Sequence, residues 1–288
     1  MNLYAILKGG TIMKQLLFAS DLDGTLLNAA HETDEEILTG MQELARQNAA
    51  VAVSTGRSVS MCRSLGFPPG PKVLMNGALA LDAEDRVVYD QPLPAAIVAE
   101  LMDLFPDLPF EFCTSDCTLT RQSRQETIGN FQRRWAKRGK PRRNADFDKM
   151  FQGHRNDQTR EQILDQTIYK INCNREDSED CRRLETWLAA HPEVVNTPSD
   201  EVLYEISAAS ATKGLAVQAL AGRLGIPHDQ VAVFGDGIND LSMFELFAHS
   251  YAPSTGQPEV QAAASEVLDG SDEHCVIRKM KELREQWQ

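Results

Sequence analysis

Leu17-Phe18-Ala19-Ser20-Asp21-Leu22-Asp23-Gly24-Thr25-Leu26 decides how the rest of this chain is read. Its first half belongs to a short apolar run, Gln15 to Ser20, of the length and composition of a strand buried on both faces. Its second half sets two carboxylates two residues apart directly beyond the strand end. In an extended chain the side chains at i and i+2 leave on the same face, so Asp21 and Asp23 would project together. Two anions held that close repel, and one pKa rises sharply unless a cation lies beside them. A hard, oxygen-seeking Mg²⁺ meets that need, because it takes carboxylates while keeping several waters. Gly24 lets the chain turn without a Cβ penalty. Taken alone, the stretch is equally readable as a solvated Asp-x-Asp-Gly turn.

Outward from this strand, apolar segments of strand and helix type alternate, the mark of βαβ units and a parallel sheet. A helix is expected from Thr33, where Thr33 and Glu36 form a capping-box pattern and Ile37, Met41, Leu44 and Ala45 recur at helical spacing. Ala50 to Ser54 reads as a strand, Val59 to Leu65 as a helix and Lys72 to Met75 as a third strand. After Asn76-Gly77-Ala78 the pattern changes to a hairpin, Leu79 to Leu81 and Val87 to Tyr89 around a polar turn, and the domain boundary is placed there. Residues 82–207 mix helices (94–105, 122–138, 178–190) with short strands (110–113, 168–172, 201–206). Alternation then resumes with helix 213–224, strand 231–234, helix 241–247, strand 250–252, a helix at 258–264 and a last helix from 274. The predicted fold is α/β: a doubly wound, Rossmann-like parallel-sheet core built from residues 1–81 and 208–288, interrupted by an inserted α+β cap domain at 82–207. Residues 1–12, ahead of Met13, are read as an extra leader from an alternative start codon.

The later strand end repeats the chemistry of the first. Val231-Ala232-Val233-Phe234-Gly235-Asp236-Gly237-Ile238-Asn239-Asp240 again puts acids and glycines where a buried strand stops, and in open α/β sheets those carboxyl ends line the ligand crevice. Ser54-Thr55-Gly56-Arg57 supplies a hydroxyl and free backbone N–H groups, which suit either phosphate oxygens or ordinary helix capping. Lys213 opens a helix at the end where the macrodipole prefers anions. A bound phosphate would supply the missing negative charge.

Composition excludes several classes. A chain of 288 residues with a formal charge of −13 is ill suited to gripping nucleic-acid backbones, and its longest apolar runs fall far short of the roughly 18 residues of a membrane span. Cytoplasmic location, a small-molecule partner and a monomer or weak homodimer are the expectations, with neither nucleic acid nor membrane as partner. The six cysteines lack metal-ligand spacing and are read as reduced structural thiols, with Cys113 and Cys117 at the ends of adjacent cap strands. The six histidines are read as surface or turn residues. A basic run from Arg133 to Arg143, interleaved with Trp135, is either a solvated helix end or a surface attracting an anionic substrate. A dinucleotide-binding oxidoreductase would need a GxGxxG after the first strand, and there is none.

With these segments assembled, the chain resembles the haloacid-dehalogenase superfamily, specifically its Cof-type sugar-phosphatase-like branch with a large α/β cap. The markers are Asp-Leu-Asp-Gly-Thr-Leu at 21–26, Ser-Thr-Gly-Arg at 54–57, Asn-Gly-Ala at 76–78, Lys-Gly at 213–214 and Gly-Asp-Gly-Ile-Asn-Asp at 235–240. The resemblance implies a Mg²⁺-dependent hydrolase of a small phosphorylated metabolite that works through an aspartyl-phosphate on Asp21. It implies that Asp21 is nucleophile and metal ligand, that Asp23 binds metal through its carbonyl and acts as general acid then base, and that Asp236 is the other side-chain ligand. Asp240 would support the metal shell, while Leu22, Thr55, Gly56, Lys213 and Asn239 would hold the phosphoryl group. Asp23 argues against dehalogenation, since an alkoxide needs a proton on leaving and a halide does not. A phosphomutase of the same fold and a sensor that binds phosphometabolites without turnover are the alternatives. One departure stands out: Ala252-Pro253-Ser254-Thr255-Gly256 replaces the Met-Gly-Asn-Ala-like stretch frequent in the family.

Overall fold

The computed structural model describes residues 7–8, 11–12, 14–63, 65–139, 146–198, 201–270 and 274–287. Of the expected leader, only Leu7–Lys8 and Thr11–Ile12, which pair antiparallel, lie among them. Residues 140–143 of the basic run lie outside the described residues. The chain divides into two compact units, one of residues 1–56, 62–90 and 212–288, the other of residues 57–61 and 91–211.

The first unit is built on an eight-stranded sheet. Its strands in chain order are β1 (Leu16–Ser20), β2 (Ala49–Ser54), β3 (Lys72–Leu74), β4 (Leu79–Leu81), β5 (Val87–Asp90), and, after the insertion, β12 (Val231–Phe234), β13 (His249–Pro253) and β14 (Glu266–Leu268). Across the sheet they run β14-β13-β12-β1-β2-β3-β4-β5. The first six in that order are parallel, and β4 and β5 add an antiparallel edge. Every residue of β1 is buried, as both faces carry helices. From β1 the chain winds out through β2 and β3, then returns to lay β12, β13 and β14 on the other side. The winding therefore reverses between β1 and β12, and the crevice of a doubly wound sheet opens beyond the carboxyl ends of such a pair.

The hairpin expected near residue 80 is present, but β5 is the edge strand of this sheet, so the domain boundary anticipated at 82 falls after residue 90 instead. The far boundary moves from 208 to 212, because Leu203–Ala208 is a strand of the second unit's sheet. The cap of helix α1 (Glu35–Arg46) is Asp34, one residue later than the predicted Thr33. Asp34 accepts the Ile37 N–H at 3.1 Å, whereas the Thr33 hydroxyl donates to the Leu65 carbonyl at 2.6 Å. A carboxylate is a good cap because it meets both an orphan donor and the positive end of the helix dipole.

The second unit carries a six-stranded sheet of β6 (Glu111–Cys113), β7 (Thr118–Leu119), β8 (His154–Arg155), β9 (Lys170–Asn174), β10 (Val194–Asn196) and β11 (Leu203–Ala208), ordered β8-β7-β6-β9-β11-β10. Only β7 and β8 pair in parallel. After α1 come α2 (Val59–Arg63) and the helices of the insertion, α3 (Ala95–Leu104), α4 (Arg124–Lys137), α5 (Phe147–Met150), α6 (Arg160–Leu164) and α7 (Glu179–Ala190). Strand alternation sorts β9 into two faces. Ile171 and Cys173 enter an apolar core with Val98 and Leu101 of α3 and Leu184 of α7. Lys170, Asn172 and Asn174 fall on the opposite, polar face, where buried Lys170 pairs with buried Glu205. Cys113 and Cys117 do stand at adjacent strand ends, as free thiols around a turn closed by the Thr114 N–H on the Cys117 carbonyl at 2.9 Å.

Candidate active site

Asp21 and Asp236 occupy equivalent places, one residue past β1 and two past β12. The Asp21 N–H extends the ladder to the Phe234 carbonyl at 2.9 Å, which locks the two strand ends together. Oxygens of Asp21, Asp236 and Asp240 all lie within 4.8 Å of one another. Into this group reaches Lys213, the first residue of helix α8 (Lys213–Leu224), its Nζ 2.6 Å from Asp21 Oδ1 and 2.6 Å from Asp240 Oδ1. Lys213 and Asp240 are wholly buried, each 0% exposed. The misplaced cation at the helix start thus has its counter-charge in two carboxylates of the protein itself.

Each acid has a different set of partners. Asp240 Oδ2 accepts the backbone N–H groups of Asp236 and Gly237, both at 3.0 Å, so with Lys213 on its other oxygen Asp240 acts as scaffold. Asp236 Oδ1 accepts the Thr25 hydroxyl at 2.7 Å. Among the described residues no donor reaches Oδ2 of Asp21 or Oδ2 of Asp236. Gly24, at φ +89°, lies so close that a Cβ there would stand 2.4 Å from Asp236 Oδ2. The turn Leu22–Leu26 that carries it is closed by the Leu26 and Leu27 N–H groups on the carbonyls of Asp21 and Leu22.

The electrostatics follow from this packing. Burial pushes the Asp21 carboxyl well above its usual range against the pull of Lys213, and burial pushes Asp236 up to about 6 against the Thr25 hydrogen bond. Burial works against charge on Lys213 too, but Asp21 and Asp240 outweigh it and hold the ammonium above its ordinary value. With all three carboxylates ionised beside one ammonium, two net negative charges remain. A hard divalent cation held by Asp21 and Asp236 would neutralise them, and an all-oxygen donor set is what Mg²⁺ prefers. The residues present fit that ion.

The remaining expected residues are distributed as follows. Asp23 does not join the carboxylate group. It is 40% exposed, and its Oδ1 lies 2.9 Å from His31 Nδ1. Thr55 is buried at the carboxyl end of β2, its N–H on the Val73 carbonyl and its carbonyl taking the Asn76 N–H. Gly56 follows it, and Leu22 is buried beneath the turn. Asn239 donates to Asn76 Oδ1 at 3.1 Å, so the Asn-Gly-Ala segment, which had no role from sequence, anchors a residue of the second acidic loop. Gly77, at φ +98°, allows this segment to lie against the start of α8, where a Cβ would meet the Thr212 carbonyl carbon at 2.2 Å. Thr25 was also missed as a partner, although it lies in the opening motif. The basic run is largely tied down: Arg134 bonds Asn174 at 2.6 Å and Glu111 at 3.3 Å, and Lys137 bonds the Arg175 carbonyl at 2.9 Å.

The buried acid–lysine group thus stands at the winding reversal of an open parallel sheet, where doubly wound proteins bind their ligands. A family model described as haloacid dehalogenase-like hydrolase matches residues 18–280, and the chain belongs to that family. Among curated proteins it is 27% identical over 294 residues to "Phosphatase YwpJ" of Bacillus subtilis, covering 93% of this chain and 99% of the relative. It is likewise 27% identical to the "5-amino-6-(5-phospho-D-ribitylamino)uracil phosphatase YwtE" of the same organism, covering 92% and 96%. A solved haloacid dehalogenase-like hydrolase from B. subtilis superposes with a TM-score of 0.75 at 25% identity, covering 93% of this chain and 100% of that one. The protein is a phosphatase-type hydrolase of the family. Among the described residues no helix is long and apolar enough to cross a membrane.

Proposed function

We propose that the protein hydrolyses small phosphorylated metabolites, sugar or polyol phosphates first, through an aspartyl-phosphate on Asp21 with Mg²⁺ as cofactor. The observation that carries this reading is the Lys213 ammonium bound to Asp21 Oδ1, which leaves Oδ2 as the oxygen without a donor. Oδ2 attacks phosphorus, the P–O bond to the leaving group breaks, and the departing oxygen takes a proton from Asp23. Asp23, now a carboxylate, accepts a proton from water as that water attacks phosphorus, and inorganic phosphate leaves with Asp21 restored. Covalent capture divides one slow hydrolysis into two easier displacements. Lys213 holds Asp21 in place and adds positive charge beside the transferring group, where stabilisation in a dry site is worth most. Asp21, Asp236 and the Asp23 carbonyl would hold Mg²⁺, which when bound supplies charge neutralisation for the phosphoryl oxygens. Thr55, Gly56, the Leu22 backbone and Asn239 are assigned to the phosphoryl group, and Asp240 to holding Lys213 and the second acidic loop.

Choice among substrates is assigned to the inserted unit. Its buried polar sheet face, with the Lys170–Glu205 pair and an Asn172 Oδ1 that has no hydrogen-bond partner among the described residues, suits recognition of hydroxylated ligands. The ribityl phosphate named for a relative is of this class. Purified protein incubated with p-nitrophenyl phosphate and Mg²⁺ tests the chemistry. Turnover is expected to vanish on chelation and in Asp21→Asn, and a quenched reaction should contain a hydroxylamine-sensitive phosphoenzyme. Turnover that survives Asp21→Asn refutes the mechanism, and phosphate retained on a sugar instead of released marks a mutase.

A further inference from the structure

His31 lies in the loop between the Asp21–Leu26 motif and α1, and its ring is not left to wander. Asn28 organises the loop: its side-chain Oδ1 accepts the N–H groups of Ala30 at 3.0 Å and Glu32 at 3.1 Å, and its carbonyl accepts the His31 N–H at 2.8 Å. The Asn28 N–H closes the turn on the Glu32 carbonyl at 3.2 Å. His31 is thereby held at φ +61°, the left-handed region that non-glycine residues seldom enter. Such strain persists only where surrounding contacts over-determine it, and it gathers at functional sites. Its result is a 2.9 Å contact between Nδ1 and Asp23 Oδ1. A surface pair of this kind contributes little to stability, so folding alone does not account for a strained backbone that aims the ring.

We propose that His31 is a positioning residue for Asp23, an inference that rests on the proposed role of Asp23 as proton donor. With Nδ1–H donating to Oδ1, the transferable proton of Asp23 is confined to Oδ2 and the carboxyl plane is fixed. Asp23 then presents one oxygen, in one orientation, to the leaving group. The contribution of such a group depends on angle and distance as much as on acidity.

The test compares kcat/KM for phenyl phosphate, whose phenolate departs poorly without a proton, with that for p-nitrophenyl phosphate, whose leaving group needs none. Two variants suit the left-handed backbone: His31→Gly, which removes the donor, and His31→Asn, whose amide N–H can stand where Nδ1 stood. In His31→Gly the ratio of phenyl to nitrophenyl kcat/KM is expected to fall about tenfold or more, a fraction of what general acid catalysis supplies. His31→Asn should restore the ratio to within about threefold of the parent, because the donor is retained. A ratio unchanged in His31→Gly, or lowered equally in His31→Asn, overturns the role of His31. Measured beside them, Asp21→Asn separates the two levels. If it is inert while the ratio is unchanged, only the histidine inference fails, and if it turns over, the underlying mechanism fails.

Discussion

At the scale of single residues, the site depends on how little room it leaves. Gly24 is the sharpest case, since an added methyl meets Asp236 Oδ2 at 2.4 Å and also strains a left-handed backbone. Gly24→Ala is therefore expected to cost about 1–3 kcal/mol of stability from the backbone alone and to weaken Mg²⁺ affinity by displacing Asp236; melting curves with and without Mg²⁺ read both. Lys213→Met leaves the Asp21 and Asp240 carboxylates buried without their cation, which should reduce kcat by about a hundredfold or more and cost about 3–5 kcal/mol. Chemical denaturation and steady-state rates with p-nitrophenyl phosphate separate the two effects. Asp21, Asp236 and Lys213 were legible because acids at strand ends and a cation at a helix start break the ordinary preferences of those positions. Thr25 and His31 were not. A threonine in a turn and a histidine in a polar loop satisfy local rules without reference to a site, and what makes them matter is a contact that no spacing encodes.

At the scale of elements, helix α8 carries the cation, and its placement is set by small residues. Thr212 caps it, its hydroxyl oxygen accepting the Leu215 N–H at 3.2 Å. Gly214 lies so near helix α9 (Leu241–Leu246) that a Cβ would stand 2.0 Å from the Ser242 carbonyl oxygen. Gly214→Ala must push α8 away from α9 and so draw Lys213 off its carboxylates. Thr212→Ala removes one cap bond, worth about 1 kcal/mol, without such a shift. The expectation is that Gly214→Ala lowers kcat and the melting temperature together, whereas Thr212→Ala lowers mainly the latter; equal kinetic losses would refute this division. The helix itself was read from its apolar spacing with both ends correct. Where elements were misread, a local rule had competitors. Thr33 and Asp34 are both good caps, and only the Leu65 carbonyl that takes the Thr33 hydroxyl decides between them.

At the scale of the whole molecule, the parallel core followed from alternation, but the limits of its sheet did not. Val87 to Tyr89 read as a strand, but β5 is exposed or half-buried throughout, and nothing in its sequence decides whether such a hairpin closes one sheet or opens the next domain. The two excess negative charges of the site have a consequence for the protein as a whole. Because burial raises the Asp236 carboxyl from an ordinary 3.8 to about 6, and raises Asp21 too, the metal-free fold binds these protons more tightly than the unfolded chain. That contribution is present below the unfolded value and is lost as pH climbs through the folded one. Mg²⁺ favours the charged forms, so its addition should raise the melting temperature more at about pH 7.5 than at about pH 4.5; an equal gain at both would contradict the charge count. A last consequence lies in the order of the strands. Thr25 and Asp236, which touch in the folded protein, are 211 positions apart, and β1 acquires its neighbour β12 only after the insertion has been traversed. On the ribosome, at about 5–20 residues per second, one flank of the central strand stays bare for roughly ten seconds or more. Such a nascent chain is a natural client for chaperones that shield open strand edges.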